Sequence, residues 1–188
     1  EPGAERLGMP DAIALDKLSA VLWQDDDDAV YAILDGAGIA NLLDKLYGEP
    51  QPEFACLYRG EIAPDIAEVA PYLVKLEAGS DFLRWVASGW GNAWGIFVVV
   101  PAELDISAVR RHLRKLNLVA GPDGETLMFR YYDPRVLRDF LPTCDAGQLR
   151  EIFGPIRRIL DENGESTIGA VFSLVAGNQL VTRLINFG

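Results

Sequence analysis

The sequence carries one histidine and two cysteines, which removes most metal and nucleophile chemistry at the outset. A zinc site needs several Cys or His ligands brought together. Cys56 lies in an apolar stretch and Cys144 in a polar one, and neither belongs to a C-x-x-C or Cys/His cluster. That usage suits a reducing compartment. His112 falls between Arg111 and Leu113 in a stretch of helical spacing, and no G-x-S-x-G elbow supplies a serine for it to activate. The P-loop, H-E-x-x-H and kinase motifs are absent as well. No metal, cofactor or catalytic residue is expected.

Positive charge is also scarce. Seventeen Lys and Arg against 28 Asp and Glu give a formal net charge of -11, which opposes nucleic acid and anionic membranes, because both are bound by clustered cations. Arginines near 110–114 and 130–138 alternate with apolar residues and read as one solvated face. No apolar run is long enough to span a bilayer, and no basic segment followed by an apolar stretch opens the sequence. The chain is expected to be soluble and cytoplasmic. It opens on Glu1 instead of Met, which leaves a preceding segment open.

What is present is a hydrophobic content of 49%, sufficient for one core or a core with a small appendage. Asp11 to Gln24 has the spacing of an amphipathic helix. Asp25 to Asp28 then place four carboxylates in a row, which predicts a hydrated loop; the alternation a calcium loop requires is missing. Val30 to Leu34 reads as a strand, and Ile39 to Leu46 as a helix ended by Gly48 and Pro50. Strands are expected at Phe54 to Tyr58, Tyr72 to Leu76 and Trp94 to Val100, with helices near Asp81 to Ala87 and Leu104 to Leu116.

The second half predicts a hairpin from Leu118 and Val119, a turn at Gly121 to Gly124, and a strand Leu127 to Tyr132. Asp133 caps a helix begun by Pro134 and ending at Leu141, and another helix covers Ala146 to Phe153. Ile156 to Leu160, a turn at Asn163 and Gly164, and Thr167 to Val175 read as strands, while Leu180 to Phe187 fits a strand or a helix. The expectation is an α/β, mixed α+β fold: a mixed sheet flanked by helices, with a strand-rich end. Residues 1–29 form an N-terminal helix and acidic loop, 30–155 the main domain and 156–188 a short strand-rich extension.

Gly36-x-Gly38 sits where a dinucleotide fingerprint would lie, yet Asn41 replaces the third glycine and Asp35 would oppose a pyrophosphate. A tight glycine turn explains it better. Trp85, Trp90, Trp94 and Phe97 read as core or as a recognition patch, with Trp90, between Gly89 and Gly91, the one best placed to be exposed. In Phe129-Arg130-Tyr131-Tyr132-Asp133-Pro134-Arg135, Arg130 and Arg135 are placed to pair with Asp133 or Asp35 and fix a strand-to-helix corner, or to donate to a partner's carboxylates and carbonyls.

Several segments, in order, carry a resemblance: Tyr31 to Gly36, Cys56-Leu57-Tyr58-Arg59-Gly60, Ala70-Pro71-Tyr72-Leu73-Val74, Trp94-Gly95-Ile96, His112-Leu113-Arg114, and Phe129 to Leu137. Over about residues 30 to 155 the chain resembles the type VI secretion adaptor family, also called effector chaperones. The resemblance implies a non-enzymatic protein that binds a cognate effector in the cytoplasm and helps join it to a valine-glycine-repeat (VgrG) spike. Many members carry a larger lobe after the shared domain than the thirty or so residues that follow Pro155 here. Partner contacts are then expected at Trp90, Arg130 and Arg135, and a structural corner at Asp35, Asp133 and Pro134. The alternatives are an enzyme with a small-ligand site near Asp35 and Gly36, or an immunity protein that blocks a toxin.

Overall fold

The computed structural model describes residues 12–120, 123–165 and 167–188. The expected turn at Gly121 and the start of the first helix at Asp11 lie outside them. Three apolar stretches build the centre: β1 (Asp28–Asp35), β3 (Pro71–Leu76) and β4 (Gly95–Pro101) are almost wholly buried, as strands covered on both faces must be. β1 lies between the other two, with Ile33 opposite Leu73 on one side and Ile96 on the other. β2 (Phe54–Cys56) adds an edge beside β3, and β7 (Arg158–Glu165), β8 (Ile168–Val175) and β9 (Gln179–Asn186) continue the sheet beyond β4. The order is β2-β3-β1-β4-β7-β8-β9, with every pairing antiparallel.

Alternation along these strands sends side chains into two cores. Val30, Ala32, Leu34, Val74 and Val99 meet one layer of helices, α1 (Ala12–Leu22), α2 (Leu42–Leu46) and α4 (Asp81–Ser88). Tyr31, Ile33, Leu73, Val98 and Val100 meet the other: α5 (Ile106–Leu116), α6 (Pro134–Phe140) and α7 (Ala146–Phe153). The mixed α+β class with a strand-rich C-terminus is therefore the architecture, built as a sheet between two helical layers. α1 and the last three strands contribute to the same cores as the middle of the chain. Among the described residues, no helix is long and apolar enough to cross a membrane.

Several local expectations give way to packing. The helix expected from Ile39 shrinks to Leu42–Leu46, because Asn41 takes a left-handed φ of 59° and ends the preceding turn. A further helix, α3 (Pro64–Val69), has no buried residue, so no apolar stripe announces it. The hairpin pairs β5 (Leu118–Ala120) with β6 (Thr126–Met128). β6 stops short of the expected Tyr132, since Tyr131 and Tyr132 are both buried and a strand would turn one of them outward. Asn163 and Gly164 lie inside β7, at an irregularity where Gly164 has a φ of 74°.

The acidic run is not a free loop. Asp28 opens β1 and is buried. Arg157 takes Asp27 through two bonds of 2.7 and 2.9 Å and Asp28 at 2.9 Å, while Arg158 bonds Asp28 and lies 3.6 Å from Asp25. Burial alone would raise the Asp28 carboxyl, but the hydrogen bonds from Arg158 and Arg157 hold it below the usual range.

Candidate functional site

The segments that carry the sequence resemblance meet around the end of β1. Asp35 closes that strand with its amide on the Trp94 carbonyl, 2.8 Å away, and its carboxylate accepts from the Ala37 amide at 3.2 Å. Gly36 follows with its amide on the Ala70 carbonyl at 3.1 Å, and a Cβ there would lie 2.5 Å from that oxygen. At Gly36 the turn is thus a close approach of backbones, and the Asp35 carboxylate takes up the turn's own amide at Ala37.

Arg130 reaches this carboxylate from the far side of the sequence and pairs with Asp35. Asp133 caps α6, accepting from the Arg135 amide at 3.0 Å and from the Arg135 guanidinium at 2.9 and 2.7 Å. Burial opposes ionisation of Asp133, and the Arg135 hydrogen bonds overcome it, leaving the carboxyl below its ordinary value. Pro134 is buried at the first turn of the helix, where its missing N–H leaves nothing unpaired. The structure therefore brings Asp35 together with Arg130 and Asp133 with Arg135, while both guanidinium groups keep about half or more of their surface in solvent.

Trp90 is placed otherwise. It is 3% exposed, its ring stacked on Phe97 at 6.2 Å and edge-on to Phe187 at 5.3 Å. The flanking glycines do not project it outward. Gly89 instead leaves room for the Trp94 ring, and Glu162 draws the loop inward by accepting from the Gly91 and Ala93 amides at 2.6 and 2.9 Å. In this structure Trp90 presents no surface to a partner.

The other matched segments are clasped in the same manner. Arg110 donates to the Cys56 carbonyl at 2.8 Å, Arg114 to the carbonyls of Cys56 and Tyr58, and Asn117 to that of Leu57 at 2.9 Å. His112 rests against Gly154 with Nε2 on the Ile152 carbonyl at 2.9 Å; burial lowers its pKa, so Nε2 carries the proton of a neutral ring. Arg138 donates to the Glu162 carbonyl. Of the arginines that read as one solvated face, Arg110, Arg114 and Arg138 tie backbone carbonyls and Arg130 and Arg135 pair with carboxylates, roles sequence spacing does not announce.

The void beside Leu34, Trp94 and Glu162 measures about 20 Å³, room for a single water. A larger cleft of about 520 Å³, between residues 44–53 and 75–85, shares no lining residue with it. Among the described residues no group of three or more His, Cys, Asp or Glu is placed to hold a metal ion. The cysteines are free and half-buried, and burial raises both thiols.

Next to the corner the chain does expose apolar surface. The β5–β6 ribbon pairs Leu118 with Met128 and Val119 with Leu127, one pair on each face. All four side chains are exposed, Leu118 at 53% and Met128 at 54%. A two-stranded ribbon is marginal alone in water, and one apolar on both faces gains most from being covered. Phe129 ties its base to the Asn117 carbonyl, directly before Arg130.

A sequence model of one family matches residues 30–151: the domain of unknown function DUF4123. The chain belongs to this family. The matched DUF4123 region begins within β1 and ends within α7, so it takes in the corner, the α5 clasps and the ribbon. Neither the curated proteins nor the solved structures contain a match.

Proposed function

We propose that this DUF4123 protein is a non-enzymatic adaptor that binds a cognate type VI secretion effector in the cytoplasm and promotes its loading onto a VgrG spike. The family is associated with type VI secretion effector adaptors. The observation that carries the reading is the β5–β6 ribbon, apolar on both faces, uncovered, and continuous with the half-exposed Arg130 and Arg135. Apolar side chains supply the contact area, and a guanidinium beside them supplies directional donors to a partner's carbonyls or carboxylates. Residues 30–155 form the unit that carries this surface, while α1 and β7 to β9 add side chains to its cores.

The test is a pull-down of tagged protein from its native bacterium with mass spectrometry, repeated with Leu118→Ser/Met128→Ser and in a strain lacking the neighbouring spike gene. Recovery of one toxin-like protein with a spike protein, lost in the ribbon variant, supports the proposal. Recovery of a toxin without any spike protein points to an immunity protein, and unchanged recovery by the ribbon variant removes the ribbon from the contact surface.

A further inference from the structure

The two edges of the sheet are built differently. At one edge β2 is three residues long, Pro50 and Pro52 precede it, and Arg110 and Arg114 occupy carbonyls of Cys56 and Tyr58. Those are the devices that keep an edge from pairing further. Among the described residues β9 is the other edge; it runs for eight residues without proline, lysine or carboxylate, with Arg183 its one charge, and its register on β8 is unbroken from Ile168↔Asn186 to Val175↔Gln179. It carries exposed Val181 and Leu184, the latter at 60%. A long, unbulged edge whose one charge is Arg183 is a template for another strand.

We propose that this edge pairs with the β9 strand of a second copy of the chain, antiparallel, about a two-fold axis at Thr182. Symmetry selects the register. Directly opposed residues share a face, so the axis passes through a residue that opposes itself. An axis at Arg183 sets two guanidinium groups against each other, and an axis at Val181 shortens the overlap and leaves Leu184 opposite Asn178. An axis at Thr182 uses nearly the whole strand: Thr182 meets Thr182, Leu180 meets Leu184 on both sides, and Val181 covers the stem of Arg183. Threonine and aliphatic cross-strand pairs of this kind stabilise a ladder. Two chains that each carry -11 repel overall, and β9 keeps that repulsion out of the seam by bringing Arg183 and no carboxylate to it.

Engineered cysteines test the register. With Thr182→Cys the two Cα atoms face each other at about 4.5 to 5.5 Å, within disulfide reach; with Gln179→Cys they stand about 20 Å apart. Mild oxidation is expected to give a reducible dimer for Thr182→Cys and only the wild-type background, set by Cys56 and Cys144, for Gln179→Cys. Sedimentation of the wild-type chain is expected to show a dimer growing with concentration and lost in Leu184→Lys, whose melting temperature reports that it still folds. Equal cross-linking at both positions, a wild-type chain monomeric at all concentrations, or an edge that pairs only when an effector is added would each overturn the proposal.

Discussion

Asp161 points from β7 into the core with its side chain fully buried, neither carboxylate oxygen hydrogen-bonded and Arg138 3.9 Å away. Burial pushes its carboxyl up to about 8, against the pull of Arg138 and with the push of Glu162. The folded chain keeps this proton up to about pH 8, while the unfolded chain releases it near pH 4. Between those limits the native state binds more protons, so stability falls as pH rises, by about 1.4 kcal/mol per unit, and levels off above the folded value. The deficit at pH 7 is at most about 4 kcal/mol relative to an uncharged side chain. Asp161→Asn removes the ionisation and keeps the shape, and Arg138 keeps its bond to the Glu162 carbonyl. The variant is expected to match the wild type near pH 4 and to melt roughly 10 °C higher at pH 8. Melting curves from pH 4 to 9 measure it. A constant offset between the two proteins across that range refutes a buried, raised Asp161.

Arg130→Ala strands the Asp35 carboxylate and, with the arginine half in solvent, is expected to cost about 1–2 kcal/mol; a double-mutant cycle with Asp35→Asn should recover most of that loss as coupling. Leu118→Ser/Met128→Ser alters only exposed side chains and should change unfolding free energy by less than about 0.5 kcal/mol in urea, while effector recovery falls. Gly36→Ala places a Cβ against the Ala70 carbonyl and is expected to destabilise by about 1–3 kcal/mol or more, or to yield no folded protein, read by circular dichroism. The depressed Asp28 carboxyl contributes stability that is present above the usual carboxylate range and lost as pH falls through its folded value. Arg158→Ala should therefore weaken the protein at pH 7 more than at pH 2.5 in urea titrations.

What could be read from the residues depended on how local the cause was. β1, β3 and β4 announce themselves as short apolar runs, and Asp133-Pro134 announces α6, because those signals lie within a few neighbours. The sequence of β9 suits a strand or a helix: Leu180, Val181, Leu184 and Ile185 fit either period, and only pairing with β8 decides it. Arg130 and Arg135 were legible as candidates for pairing with Asp35 or Asp133, but which takes which depends on a fold that brings residue 35 beside 130. Trp90 between two glycines has the sequence of a loop tip, and Glu162, 71 residues beyond Gly91, is what turns the loop inward. Asp161 and Glu162 before Asn163-Gly164 had the composition of a turn, so nothing local marked them as buried.

The clasp of Asp27 and Asp28 by Arg157 and Arg158 also sets the order in which the protein can be completed during synthesis. Asp25, Asp27 and Asp28 leave the ribosome about 130 residues ahead of their counter-charges, a delay of roughly ten seconds at cellular elongation rates. Until then β1 starts on an uncompensated acidic segment, and β4 lacks its neighbour β7. A nascent chain stopped before Arg157 should stay sensitive to protease around Asp25 to Asp28, and that segment should close only once Arg157 and Arg158 have been made.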